Sequence, residues 1–196
     1  MLSNDLINEL KRKTVHLTSI IIVLTYYYFG KQVVLSLLTV FLILILELEY
    51  FRIEWGKKLP LVHGLFRTKE ADRLGGHVFL AIGSIIAISV FPKEIASAAV
   101  LMTTFGDASA AIFGKAFGRT WIPGLKDRAI EGCAAEFIVN IIIGWIFLPG
   151  WIAILVMAGT ATVVETLTNK MDDNLLIPLF SGFNGQVAFF ILGYFK

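Results

Sequence analysis

The sequence predicts an all-α fold, a polytopic membrane helix bundle of about seven transmembrane helices with the N-terminus in the cytoplasm. Three observations carry this. The 196 residues are 57% hydrophobic and 16% charged, whereas a soluble domain is nearer half apolar and about a quarter charged. The apolar residues fall in blocks of the length a bilayer requires, about 20 residues of helix. The basic residues collect in alternate connections. The whole chain, 1–196, reads as one integral membrane domain with no internal repeat. No cleavable leader is expected, because the first apolar block has no small-residue cleavage site after it. A net charge of +2 gives no reason to invoke nucleic acid, and the lone Cys133 has no internal disulfide partner.

In order, the blocks run Val15–Phe29, Val33–Phe51, Gly75–Phe91, Ile95–Phe113, Gly132–Leu148, Trp151–Leu167 and Leu175–Phe195. Strands are disfavoured: an apolar run in lipid satisfies its backbone within one helix or in a closed barrel, and these runs are too long and too uniformly apolar for barrel strands. With the N-terminus inside, only Lys31, Lys93 and Lys196 of the 17 lysines and arginines fall outside. The outside turns are minimal ("GKQ", "PKE", "PGW"), while the three longer connections, 51–74, 114–131 and 168–174, lie inside. Such a chain is expected to work on its charged, cytoplasmic face. Segment 51–74 alternates Trp55, Leu59, Leu61, Leu65 and Phe66 with charges and reads as an interfacial helix pair. Trp55 and Trp121 suit the membrane interface.

The charges close to the apolar blocks are the candidate site. In "ELKRKTVH", Glu9, Arg12, Lys13 and His16 share one helical face. That stripe suits either a solvated positive-inside flank or a cationic face for a phosphate chain. Asp107 in "TTFGDASAAIFG" lies inside the fourth block among Gly106, Ala108, Ser109, Ala110 and Ala111. Close helix packing explains the small residues but not the carboxylate, since an ionisable group inside a span is costly and faces protein or water. Gly114, Lys115, Gly118, Arg119, Gly124, Lys126 and Arg128 follow; then Glu131 and Gly132 open the fifth block, with Glu136 a turn deeper. Accessible glycine backbone and basic side chains suit phosphates, although the GxxxxGK[ST] loop is absent. In "VETLTNKMDDNLLIPLFSG", Glu165 ends the sixth block and Asp172, Asp173 and Asn174 open the seventh; an N-cap accounts for one of these three. Asp107, Glu131, Glu165 and Asp173 thus come from the inner ends of different helices beside many cations. That combination reads as a Mg²⁺–nucleotide phosphate site.

"ELKRKTVH", "LFRTKEADRLGGHVFLAIG", "GDASAAIFGKAFG", "EG" and "VETLTNKMDDNLLIP", in this order, resemble the CTP-dependent polyprenol kinase family, which includes dolichol kinases, phytol kinases and fungal-type diacylglycerol kinases. The resemblance covers Glu9 to about Gly182. It implies transfer of the terminal phosphate of CTP to the hydroxyl of a membrane lipid alcohol. Arg12, Lys13, Gly106, Asp107, Gly114, Glu131, Gly132, Asp173 and Asn174 match positions that family treats as functional. The chain departs from the family's Lys-Ser/Thr-x-Glu-Gly-Ser pattern in "RAIEGC", where Arg128, Ala129 and Cys133 replace a lysine and two hydroxyl residues. The stretch from Gly106 to Gly132 is also similar to phosphatidate cytidylyltransferases, which use CTP and Mg²⁺ but keep the CMP. Their C-terminal Asp-Arg-x-Asp-like signature is replaced here by "MDDNLLIPLFSG". A third class, a small transporter relaying protons through buried carboxylates, fits poorly with so featureless an outer face.

Under the kinase resemblance, Asp107 and Asp173, with Glu131, hold Mg²⁺ on the CTP phosphates. Arg12, Lys13, Lys115 and one or more of Arg119, Lys126 and Arg128 offset the developing charge, and Gly106, Gly114, Gly118, Gly132 and Asn174 lie against the nucleotide. The lipid hydroxyl enters laterally with its tail in the bilayer. Asp107 and His16 are both candidates for the general base.

Overall fold

The computed structural model describes residues 19–54, 73–125 and 128–193. Within them the chain is helical: α1 (Ser19–Glu54), α2 (Gly76–Val90), α3 (Lys93–Phe117), α4 (Ile130–Phe147), α5 (Trp151–Leu167) and α6 (Asp173–Ile191). α1, α3, α4 and α6 are long and apolar enough to cross a membrane; α2 and α5 are shorter apolar helices. Helical segments follow the predicted blocks, with the first two joined in α1. They are separated there by Gly30, whose φ of 84° and ψ of 176° break the helix. That left-handed φ suits glycine, which lacks a Cβ, so "FGKQ" is a turn inside a continuous apolar run.

α3 is the central helix. In its most apolar stretch 83% of residues are buried, against 22%, 28% and 44% in α1, α4 and α6. Around it stand α1, α2, α6, α5 and α4, each packed on its neighbour in that order and each touching α3. Ala96, Ala98 and Ala99 of α3 are fully buried, with Ile95, Val100 and Met102 beside them; small side chains let the surrounding helices come close. The outer surface is apolar instead. Leu37, Phe41, Leu44, Ile138, Ile142, Val163, Phe183 and Phe190 are all exposed, as a bundle solvated by hydrocarbon requires.

The two ends of the bundle differ. At the short-turn end, Lys31 donates to Ser89 O (2.8 Å) and Lys93 donates to Tyr27 O (3.3 Å) while lying 4.0 Å from the Tyr27 ring centroid. Exposed Tyr27, Tyr28, Trp145 and Trp151 cluster near this end, which suits an interfacial aromatic belt. The long connections are gathered at the opposite end. Most of segment 51–74, expected to form an interfacial helix pair, lies outside the described residues, as do Arg12, Lys13, His16, Trp55 and Lys126.

Candidate active site

The charged groups buried in the bundle lie toward the long-connection end. α3 carries the first of them. Met102–Gly106 form a π-helical turn directly before Asp107, a local register change of the kind found at functional sites. Thr103 and Thr104 hydroxyls donate back to Ala99 O (2.8 Å) and Val100 O (3.1 Å), and Ser109 Oγ donates to Gly106 O (2.7 Å). Gly106 packs against α4: a Cβ there would stand 2.6 Å from Asn140 Oδ1. Asp107 is consequently 8% exposed, buried among small residues as its sequence context implies.

The connection from α3 to α4 turns back on itself. Pro123 and Gly124 stand at the centre of a turn closed by Leu125 N–H to Ile122 O (3.2 Å), and Gly124 has φ 81°. Proline first and a positive-φ glycine second is the chemistry of a type II turn. Ile122 N–H bonds Arg128 O (2.9 Å) and Ile130 N–H bonds Thr120 O (2.9 Å), zipping the two arms together. Glu131 reinforces the same arm by accepting from Thr120 N–H (3.1 and 3.3 Å). Segments 120–122 and 128–130 are therefore zipped together as the two arms of a hairpin-like loop, which brings Arg128 back against the helices.

Arg128 Nη1 meets Glu165 Oε1 of α5 at 2.5 Å, and its Nη2 lies 3.8 Å from Asp173 Oδ2 of α6. Burial acts against the Arg128 charge, but Glu165, Asp173 and Asp107 outweigh it and hold the guanidinium above its ordinary pKa. Asp107 and Asp173 act electrostatically on both Glu136 and Glu165. Arg128 thus joins Glu165 and Asp173 directly, with Asp107 and Glu136 near enough to act on this group electrostatically. Glu136 bonds Asn140 Nδ2 (3.4 Å), which also donates to Thr162 Oγ1 (3.3 Å). Glu136 Oε2, Glu165 Oε2, Asn140 Oδ1 and Asn174 Oδ1 are buried without a hydrogen-bond partner among the described residues. Orphaned buried oxygens are costly, and they suit a cation or a polar ligand. No group of three or more His, Cys, Asp or Glu is near enough to hold a metal by protein ligands alone among the described residues. Mg²⁺ commonly takes only one or two carboxylates plus substrate phosphates and water, so carboxylates of this centre could serve it only together with a bound phosphate.

The other expected site residues divide by position. Lys115 and Arg119 are exposed at the loop end. Gly114 and Gly132 make the α3–α4 crossing: a Cβ on Gly132 would stand 2.7 Å from Ala110 O and 3.1 Å from Gly114 Cα. A Cβ on Gly118 would stand 2.9 Å from Ala129 Cβ. Asp172 is the N-cap of α6, accepting from Asn174 N–H (3.1 Å) and Asn174 Nδ2 (2.9 Å). That leaves Asp173 turned to Arg128, so one residue of the three is the cap. Cys133, at a departure from the family pattern, meets Thr166 Oγ1 at 3.3 Å.

A second buried ionic group was not anticipated. Glu49, 1% exposed on α1, meets Arg52 Nε and Nη2 at 3.0 and 2.5 Å and His77 Nε2 at 3.0 Å. Arg52 also donates to Arg73 O (2.6 Å). The "GGH" of the sequence explains itself here. A Cβ on Gly75 would collide with the His77 ring, and one on Gly76 would stand 2.9 Å from Asn174 Nδ2.

No protein-family model matches the chain, and no solved structure matches it. The CTP-dependent diacylglycerol kinase of Saccharomyces cerevisiae is 27% identical over 147 residues, covering 71% of this chain and 50% of the kinase. A probable chloroplastic phytol kinase of Triticum aestivum is 29% identical over 143 residues, covering 64% of this chain and 47% of the relative. The chain therefore spans about half the length of these two relatives. An uncharacterized protein of Rickettsia prowazekii is 26% identical over 194 residues, 91% of this chain and 94% of the relative. These homologues support the resemblance that the motifs carry, to the CTP-dependent polyprenol and lipid kinase family.

Proposed function

We propose that the chain is a CTP-dependent kinase that transfers the terminal phosphate of CTP to the hydroxyl of a membrane lipid alcohol, on the cytoplasmic face. The carrying observation is the Arg128-centred cluster with Asp107, Glu136, Glu165 and Asp173, seen in a chain whose relatives are named as CTP-dependent diacylglycerol and phytol kinases. Phosphoryl transfer asks mainly for positioning and charge neutralisation, and the cluster supplies both signs at one place. Asp107 and Asp173 are the ligands for Mg²⁺ in this reading, with Glu131 holding the loop above them. The ion supplies charge neutralisation on the terminal phosphates. Arg128 would move from Glu165 toward the nucleotide. Lys115 and Arg119 are exposed at the loop end, and Arg12, Lys13 and Lys126, outside the described residues, are the further candidate cations. Asn174 would stand at the nucleotide's edge in this reading, while Gly106, Gly114, Gly118 and Gly132, expected against the nucleotide, instead let α3, α4 and the loop between them pack closely. Asp107 and His16 remain the two candidates for taking the hydroxyl proton.

The test is incubation of the purified protein in lipid nanodiscs with Mg²⁺, γ-labelled CTP and a panel of polyprenols, phytol, geranylgeraniol, dolichol and diacylglycerol. Labelled lipid phosphate is expected. Labelled pyrophosphate formed with phosphatidic acid as acceptor would replace the kinase reading by a cytidylyltransferase.

A further inference from the structure

A groove of about 390 Å³ runs between the two arms of α1 and α2. Its walls include Ile22, Val34, Leu37, Phe41 and Leu80, and its polar groups are Ser19, Thr25 and His77. Leu37 and Phe41 are about half exposed on the apolar outer face, so the groove is open at the side of the bundle. Ser19 is buried at 1% exposure, and its Oγ has no hydrogen-bond partner among the described residues. His77 is held by Glu49 at 3.0 Å, and Glu49 in turn by Arg52. Next to His77, Gly76 packs on Asn174 at the start of α6, and the residue just before it, Asp173, faces Arg128. The groove therefore ends beside the charged centre and on the opposite side of the α6 N-terminus.

We infer that this groove holds the apolar chain of the acceptor alcohol and that the Glu49–His77 pair binds its hydroxyl. The inference rests on the kinase reading above and deepens it. A chain with one terminal hydroxyl matches a groove that is apolar along its length and polar where His77 and Ser19 meet it. A histidine is a suitable partner because an imidazole nitrogen can accept a hydrogen bond from a hydroxyl. His77 touches the substrate; Glu49 is a positioning residue that orients the ring. The bond that forms links the alcohol oxygen to the terminal phosphorus, the terminal P–O bond of CTP breaks to release CDP, and the hydroxyl proton passes to one of the two candidate bases, Asp107 or His16.

The experiment has a binding arm and a kinetic arm, both on the full chain in nanodiscs. A diazirine-bearing geranylgeraniol analogue is photolysed and its adducts are mapped by peptide mass spectrometry. Adducts on the α1 and α2 walls, lost in Leu37→Trp, are expected; adducts confined to α4–α6 would overturn the assignment whether or not the protein is active. In the kinetic arm, His77→Gln should raise the KM for the alcohol by about tenfold, the worth of one hydrogen bond, and leave the KM for CTP within about twofold. Glu49→Gln, which keeps the shape and polarity of the group beside the ring, should be milder than Glu49→Leu. Equal changes in both KM values, or an unchanged alcohol KM, would refute the role. A wild-type protein that phosphorylates no alcohol refutes the kinase reading instead, and the adduct map still decides the groove.

Discussion

Replacing Arg128 by methionine tests the charged centre most sharply. Arg128 is 23% exposed and its partner Glu165 is 1% exposed, with their atoms 2.5 Å apart. The substitution keeps an unbranched side chain and removes the cation. Glu165 is then left buried within the field of Asp107, Asp173 and Glu136. Removing one member of a buried ion pair typically costs about 3–5 kcal/mol, against a total stability of about 5–15 kcal/mol. Replacing both partners by apolar residues of similar volume is often neutral. The expected outcomes are therefore a loss of about 3–5 kcal/mol for Arg128→Met and recovery to within about 1–2 kcal/mol of wild type for Arg128→Met with Glu165→Leu. Equilibrium unfolding by SDS titration in mixed micelles, followed through the four tryptophans, measures both. CTP-dependent transfer should be abolished in both variants under the proposed function, which assigns the arginine to the phosphates as well as to Glu165. A single variant as stable as wild type would refute the electrostatic account, and an active double variant would reduce Arg128 to a structural residue.

Asp107→Asn should preserve folding and lower turnover by about two orders of magnitude or more; turnover near wild type across a Mg²⁺ titration would remove Asp107 from the metal site. Gly132→Ala should destabilise by about 1–3 kcal/mol, because its Cβ would meet the Ala110 carbonyl of α3, and the same SDS titration reads it. Single cysteines at Lys31 and Pro149, in a Cys133→Ala background, should react with an impermeant thiol reagent in intact cells, whereas one at Lys170 should react only after the membrane is opened. The reverse labelling pattern would invert the proposed orientation.

Much of the bundle was legible because bilayer length leaves few alternatives to a helix, and "GKQ", "PKE" and "PGW" mark where the apolar runs turn. Asp107 was legible as a buried carboxylate because its neighbours on both sides are too small to carry it to solvent. Its partners were less so. Arg128 and Glu165 are 37 positions apart, and their meeting depends on the Pro123–Gly124 turn folding the loop back on the helices. The π-helical turn before Asp107 leaves no periodicity to read, because threonine and glycine at 103–106 are compatible with an ordinary helix. Glu131 looked equivalent to the other carboxylates from its place at a helix start, but the Thr120 amide lies in reach only once the loop closes. The Glu49–His77 pair was hidden by an intervening polar segment of unrelated character. Buried polarity in a greasy helix, Glu49 within "LELEYF", was the available signal, since such a group is expensive unless paired.

The central claim is that the phosphorus moved to the lipid is the terminal one of CTP, through a centre that needs Asp107. Parallel reactions of the wild-type protein and Asp107→Asn with α-labelled and γ-labelled CTP, Mg²⁺ and the best lipid alcohol of the panel test it most directly. The account predicts γ-label in the lipid fraction, α-label retained in CDP, and neither product above background from Asp107→Asn. Appearance of α-label in the lipid, or equal γ-transfer by Asp107→Asn, would contradict it.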